Sequence, residues 1–176
     1  MIMRHIPTLY IGIGGTGCKT LVEIQKNFTD EFGEGNIPEH IRFIGIDTDI
    51  FQEAKKIQKF FHITYGATTP QEYYAIQKEN NTGRCDWYTN NTNLLPGQKC
   101  GTASNRSNAR FLLEMDSYQV MNYIRKTLSE LTNIASYEFN TTEVDIRFVI
   151  SLAGGTGSGM LIPLAVMISQ YKNVSI

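Results

Sequence analysis

Two glycine-rich segments, each lying between a strand-like apolar run and a helix-like one, constrain this chain most. The first is Gly12-Ile13-Gly14-Gly15-Thr16-Gly17 and the second Gly154-Gly155-Thr156-Gly157-Ser158-Gly159. Four glycines in six positions are costly in chain entropy, and a plain turn seldom needs so many. Each follows a short apolar run, 8–13 (TLYIGI) and 144–152 (VDIRFVISL), that reads as a buried strand. Helices are expected after both. From about Gly17 to Phe32, Leu21, Ile24, Phe28 and Phe32 recur at helical spacing, with Glu23, Lys26 and Asp30 outside and Gly33 and Gly35 closing the helix. From Met160 to Ser169 the chain is apolar on all sides, which predicts a buried helix with Pro163 near its start.

The remaining segments extend the alternation. Residues 41–46 (IRFIGI) read as a second strand, 50–59 as a polar helix and 60–65 (FFHITY) as a third strand. A helix is expected over 70–79, within an Asn- and Thr-rich surface excursion spanning about 67–98. A long amphipathic helix from Ser107 to about Thr132 would present Phe111, Met115, Tyr118, Met121, Ile124, Leu128 and Leu131 to the core. The last residues, 173–176, look like the start of another strand, as if the chain were a piece of something longer. Strands alternating with helices predict an α/β fold, a Rossmann-like parallel sheet with helices on both faces. Right-handed crossovers then collect every strand-to-helix loop at one edge, where ligands bind.

Composition narrows the function. At 176 residues the chain has room for one domain with a sizeable core. Net charge is −1, so no basic excess argues for nucleic acid. The three cysteines, Cys18, Cys85 and Cys100, share no metal-type spacing, and with no apolar leader near Met1 a reducing cytoplasm is the expected setting. The longest apolar run, 160–168, is too short to span a bilayer.

The edge loops carry the candidate chemistry. Glycines without Cβ atoms let backbone N–H groups approach phosphate oxygens, and a helix N-terminus adds partial positive charge. On this reasoning a Cβ at Gly155 or Gly157 should clash or force strain, while Thr156 and Ser158 offer hydroxyls. Asp47-Thr48-Asp49 follows the second strand. A carboxylate there suits Mg²⁺, through water, or a ribose hydroxyl, and Asp49 alternatively suits a helix N-cap. Gly101-Thr102-Ala103-Ser104-Asn105-Arg106 opens the long helix. Arg106 and Arg110 suit phosphate, and Ser104 or Asn105 suits an N-cap. No lysine follows the glycines in P-loop spacing, and His5, His40 and His62 form no triad or metal pattern. Read alone, Gly12 to Gly17 also fits a dinucleotide fingerprint with Asp47 on the ribose, an NAD-binding alternative.

Taken in order, the four loops resemble those of the tubulin and FtsZ superfamily. Ala153 to Gly159 is similar to the signature G-G-G-T-G-[ST]-G, with Ala153 in place of the first glycine. Gly12 to Cys18 resembles the first phosphate loop, and Asp47-Thr48-Asp49 resembles the second loop, usually Asn-Thr-Asp. Gly101 to Asn105 is similar to the third, Gly-Ala-Gly-Ala-Asn, departing at Thr102 and Ser104 and with Arg106 instead of proline. The resemblance implies GTP or GDP with Mg²⁺, GTPase activity in the complete protein and head-to-tail self-association. It assigns nucleotide contacts to Gly14, Gly15, Thr16, Cys18, Asp47, Asp49, Ala103, Ser104, Asn105, Arg106, Gly154, Gly155, Thr156, Gly157 and Ser158, with Asp47 also toward the metal. It covers the N-terminal part of the family's nucleotide domain. The family's sugar and base loops, and the acidic loop that completes hydrolysis on a neighbouring subunit, have no counterpart here. Negligible hydrolysis by residues 1–176 alone is therefore expected. A non-catalytic relative that uses nucleotide to order a partner surface, with Trp87 and Tyr88 in the excursion, is the other alternative.

Overall fold

A computed structural model describes residues 6–64, 66, 68–80, 101–102, 105–171 and 174–175. Among these residues five strands form one parallel sheet: β1 (Thr8–Ile13), β2 (Ile41–Asp47), β3 (Lys59–His62), β4 (Val144–Ile150) and β5 (Val174–Ser175), in the order β3-β2-β1-β4-β5. Among the described residues four α-helices accompany it: α1 (Gly14–Phe32), α2 (Pro70–Glu79), α3 (Arg106–Glu138) and α4 (Gly155–Ser169). This is the α/β architecture expected from the alternation of runs.

β1 is buried along its whole length because both its faces are covered. On one face Leu9, Ile11, Ile13, Ile44, Ile46, Val144 and Ile146 pack with residues of α3 and α4. On the other, Tyr10, Ile41 and Phe43 pack with Cys18, Leu21, Val22 and Phe28 of α1. Tyr10 stacks on Phe43 at 5.3 Å between ring centroids, and Phe28 meets both rings edge-on at 6.0 and 5.7 Å. Such pairs contribute about 0.5–1.5 kcal/mol each beyond the area they bury. α1 lies close to the sheet because Gly17 has no side chain: a Cβ there would stand 2.2 Å from the Val149 carbonyl oxygen.

Several expectations are corrected. α1 begins at Gly14, since the chain turns at that one residue (φ 75°) and the following glycines lie in the first helical turn. Residues 50–59 form no α-helix. A 3-10 helix, Gln52–Lys56, sits between extended residues Phe51 and Ile57, and Lys59 already belongs to β3. This short link must carry the chain back along the sheet, and a 3-10 helix rises about 2.0 Å per residue against about 1.5 Å for an α-helix. Asp49 therefore caps nothing here. β3 ends at His62 and β4 at Ile150, and α3 runs on to Glu138.

Met115 and Tyr118 of α3 are exposed, while Ala109, Leu112 and Leu113 are buried. The first half of α3 lies against α4, which rotates its buried face: a Cβ on Gly159 would stand 2.4 Å from the Arg106 carbonyl oxygen. α4 is not buried all round. Met160, Leu164 and Ile168 face inward and Ile162 and Val166 face outward, because only one side meets the sheet and α3. It also begins at Gly155, which places Pro163 inside the helix. Among the described residues no helix is long and apolar enough to cross a membrane. Most of the excursion, including Cys85, Trp87 and Tyr88, lies outside the described residues, as does Cys100 after it, and the excursion's helix α2 starts from a capping box between Thr69 and Glu72.

Candidate functional site

Strand order reverses direction beside β1: β2 and β3 lie on one side, β4 and β5 on the other. Such a switch point opens a crevice at the carboxyl ends of the strands. Ile13 pairs with Ile150, so β1 and β4 end level and their glycine loops emerge side by side. The loops touch: a Cβ on Gly14 would lie 3.0 Å from the Gly157 nitrogen. Gly157 is itself held between carbonyls, its Cβ position 2.9 Å from Ser151 O and 3.0 Å from Ile13 O. Lacking a Cβ, Gly157 thus seats the second glycine loop against the end of β1. Gly154 differs, having nothing within 4 Å of its Cβ position and φ −84°, ψ 156°.

The helix starts at this edge are not alike. α3 is capped by Asn105, whose Oδ1 accepts from the N–H groups of Ser107 and Asn108 at 2.9 and 3.3 Å. α1 and α4 have no side-chain cap and no acidic residue in their first turns. The first N–H groups of a helix have no partner within it, so these two ends carry donors and partial positive charge. Gly15 and Thr16 are exposed at the start of α1, as are Leu152, Ala153 and Gly154 before α4.

The other side chains settle around this pair. Asp47 closes β2 and is buried; its Oδ1 accepts from the Thr48 N–H at 2.7 Å. Burial pushes its carboxyl up to about 6; that N–H bond pulls the other way, and the charge of Asp49 adds to the rise. The charge of His62 pulls the carboxyl down more weakly, and Asp47 Oδ2 lies 3.6 Å from the Cβ position of Gly15. Asp49 is exposed, with its carboxylate 3.4 Å from the Cβ position of Gly101, which turns the chain at φ 72°. Arg106 is exposed and its guanidinium donates to the Leu152 carbonyl at 3.4 Å, while Arg110 pairs with Glu114 at 3.2 Å.

Some candidates turn away from the edge. The Cys18 thiol is buried, 3.3 Å from the Gly12 carbonyl and 3.6 Å from that of Ile46, and burial pushes it up to about 12. The Ser158 hydroxyl donates back to the Gly154 carbonyl. Ala103 and Ser104 lie outside the described residues.

Sequence reasoning passed over two members of the site, Thr48 and Thr102. Both are buried, and their hydroxyls meet that of Thr156 at 3.2 and 3.4 Å. The second, third and fourth loops are joined there. Thr102 stood out only as a departure from a family pattern, and a buried hydroxyl leaves no periodic trace.

Among the described residues no group of three or more His, Cys, Asp or Glu is arranged to hold a metal. A single buried carboxylate beside open backbone N–H donors instead suits an ion such as Mg²⁺, which keeps most of its waters and binds through one or two carboxylates together with phosphate.

A sequence profile described as tubulin-like matches residues 9–175, from β1 to β5 and across all four loops. No curated protein sequence matches the chain. With the profile covering nearly the whole length, and the parallel sheet and paired glycine loops in place, the chain belongs to the tubulin-like family.

Proposed function

We propose that this edge binds a guanine nucleotide, GTP or GDP, through its phosphates, with Mg²⁺ beside Asp47. One observation carries the reading: two uncapped, glycine-opened helix starts abut at the β1/β4 switch point, while α3 at the same edge is capped. Each uncapped end offers backbone donors and a partial positive charge to an anion. Gly14, Gly15 and Thr16 would hold phosphate oxygens from one side, and Gly155, Thr156 and Gly157 from the other. A chain of phosphates, rather than a single one, uses both ends. Gly154 leaves the approach to α4 clear.

Asp47 fits the metal. It is buried, its carboxyl is raised to about 6, and a divalent cation would supply opposite charge. Cys18 contributes by packing α1 between β1 and β2, not by its sulfur meeting ligand. The positioned donors favour the developing charge of phosphoryl transfer, and head-to-tail contact between copies of the complete protein would supply what else that reaction needs. Thermal shift of the full chain with GTP, ATP and NAD, each with Mg²⁺, tests the reading. A rise in Tm with GTP that NAD does not match is expected; a rise with NAD alone, or with none of the three, would overturn it.

A further inference from the structure

The hydroxyls of Thr48, Thr102 and Thr156 come from three different loops and meet inside the protein. Thr48 Oγ1 lies 3.2 Å, and Thr102 Oγ1 3.4 Å, from Thr156 Oγ1. Thr48 and Thr102 are 1% and 4% exposed, so each hydroxyl depends on a partner in the protein, and Thr156 is the one present.

A hydroxyl has one proton and two lone pairs. If Thr48 and Thr102 both donate, they fill both lone pairs of Thr156 and leave its own proton without an acceptor inside the cluster. If Thr156 donates to either neighbour, the spare proton sits instead on that buried hydroxyl, and Thr156 has none to offer. A phosphate oxygen accepts and does not donate, so its arrival at the start of α4 selects the first arrangement. We propose that Thr48 and Thr102 are positioning residues that hold the Thr156 hydroxyl as a donor to a nucleotide phosphate oxygen. This rests on the nucleotide reading above. It assigns a role to Thr102, where the chain departs from the small residue usual in the family's third loop.

The backbone supports this wiring. The Thr102 carbonyl accepts from the Asn105 N–H at 2.9 Å and from Asn108 Nδ2 at 3.4 Å. The Gly101 N–H donates to the Thr48 carbonyl at 3.4 Å, and His62 Nε2 lies 3.2 Å from the same oxygen. Both inner donors are thus fixed from two sides. Their contacts with Thr156 exceed the usual O–H···O distance of about 2.7–2.8 Å, which leaves slack for the loops to close on a ligand. Two bonds donated into Thr156 also polarise its own O–H, by about 10–30% per bond.

The test is calorimetric titration of the full chain with GTP and Mg²⁺, for wild type, Thr102→Val, Thr102→Ser, Thr48→Val, Thr156→Val and the Thr102→Val/Thr156→Val double variant. Each valine weakens GTP binding, by about three- to tenfold for one lost hydrogen bond. Thr102→Ser keeps the wild-type affinity, and the double variant binds no more weakly than Thr156→Val alone, since one chain of bonds is lost once. GTP affinity unchanged in Thr102→Val and Thr48→Val would overturn the proposal. So would equal losses in Thr102→Ser and Thr102→Val, which would make the methyl group the cause, or additive losses in the double variant. Unfolding of both Thr102→Val and Thr48→Val would make the hydroxyls structural and overturn it too. Wild-type protein that binds no GTP would remove the nucleotide reading itself, a result distinct from wild-type binding with unaffected variants.

Discussion

Gly154→Ala separates ligand contact from folding. Nothing in the protein lies within 4 Å of the Cβ that alanine would add, and φ −84°, ψ 156° is open to any residue. As the N-cap of α4, alanine is poorer than glycine by roughly 0.5–1 kcal/mol. Losing a glycine's freedom in the unfolded chain returns about 0.4–1 kcal/mol. The two nearly cancel, so stability should stay within roughly 0.5 kcal/mol, or about 2 °C in Tm for a chain of this size. Binding should respond differently. A methyl group at the mouth of α4 that displaces one charge-assisted hydrogen bond to phosphate costs about 1.5–3 kcal/mol, which is roughly ten- to a hundredfold in Kd. Calorimetric titration with GTP and Mg²⁺, beside thermal melts without ligand, reads both numbers. Gly157→Ala is the control, because its Cβ meets two backbone carbonyls at 2.9 and 3.0 Å and should lower Tm outright. Wild-type affinity in a folded Gly154→Ala protein would refute the reasoning; so would a large fall in its ligand-free Tm.

Other consequences are open to measurement. The Asp47 carboxyl sits at about 6 when folded against an ordinary 3.8, so the folded protein holds that proton more tightly and loses stability as pH rises from about 4 to about 6. The loss is on the order of 3 kcal/mol; Asp47→Asn should remove it, melt higher than wild type at pH 7 and bind GTP with less dependence on Mg²⁺, and parallel Tm–pH curves for the two proteins would contradict this. Gly17→Ala drives a Cβ to 2.2 Å from the Val149 carbonyl and should destabilise by about 1–3 kcal/mol or more, seen as a lower urea midpoint. In a Cys85→Ser/Cys100→Ser background, Cys18 should resist alkylation until the protein unfolds, since burial keeps it a thiol near a pKa of 12; fast labelling of native protein would show the sulfur is accessible.

The parallel sheet was legible because strands covered on both faces are rich in apolar residues, as the runs at 8–13, 41–46 and 144–152 are, even with Arg42, Asp145 and Arg147 among them. α2 was legible from its own chemistry, with Pro70 in its first turn and Glu72 answering Thr69. Where a partner decides, the sequence misled. Ile50, Ala54 and Ile57 keep helical spacing, yet the link they lie in is too short for an α-helix and Ile50 is exposed. Met115 and Tyr118 repeat the period of α3, but the approach of α4 at Gly159 turned that stripe outward. At the site, glycine spacing marked the loops but not the direction of a side chain, so Cys18 looked like a loop residue while its sulfur points into the core. The threonine cluster was invisible for another reason: Thr156 meets partners 108 and 54 residues away in the chain, and only the folded sheet brings them together.

Hydrogen–deuterium exchange of the full chain, with and without GTP and Mg²⁺, tests the central claim most directly, because the donors invoked are backbone N–H groups. The account predicts slowed exchange at residues 14–17 and 154–158, with 47–49 following in Mg²⁺ and little change along the solvent side of α1. Protection confined to other segments, or none at saturating GTP, would contradict it.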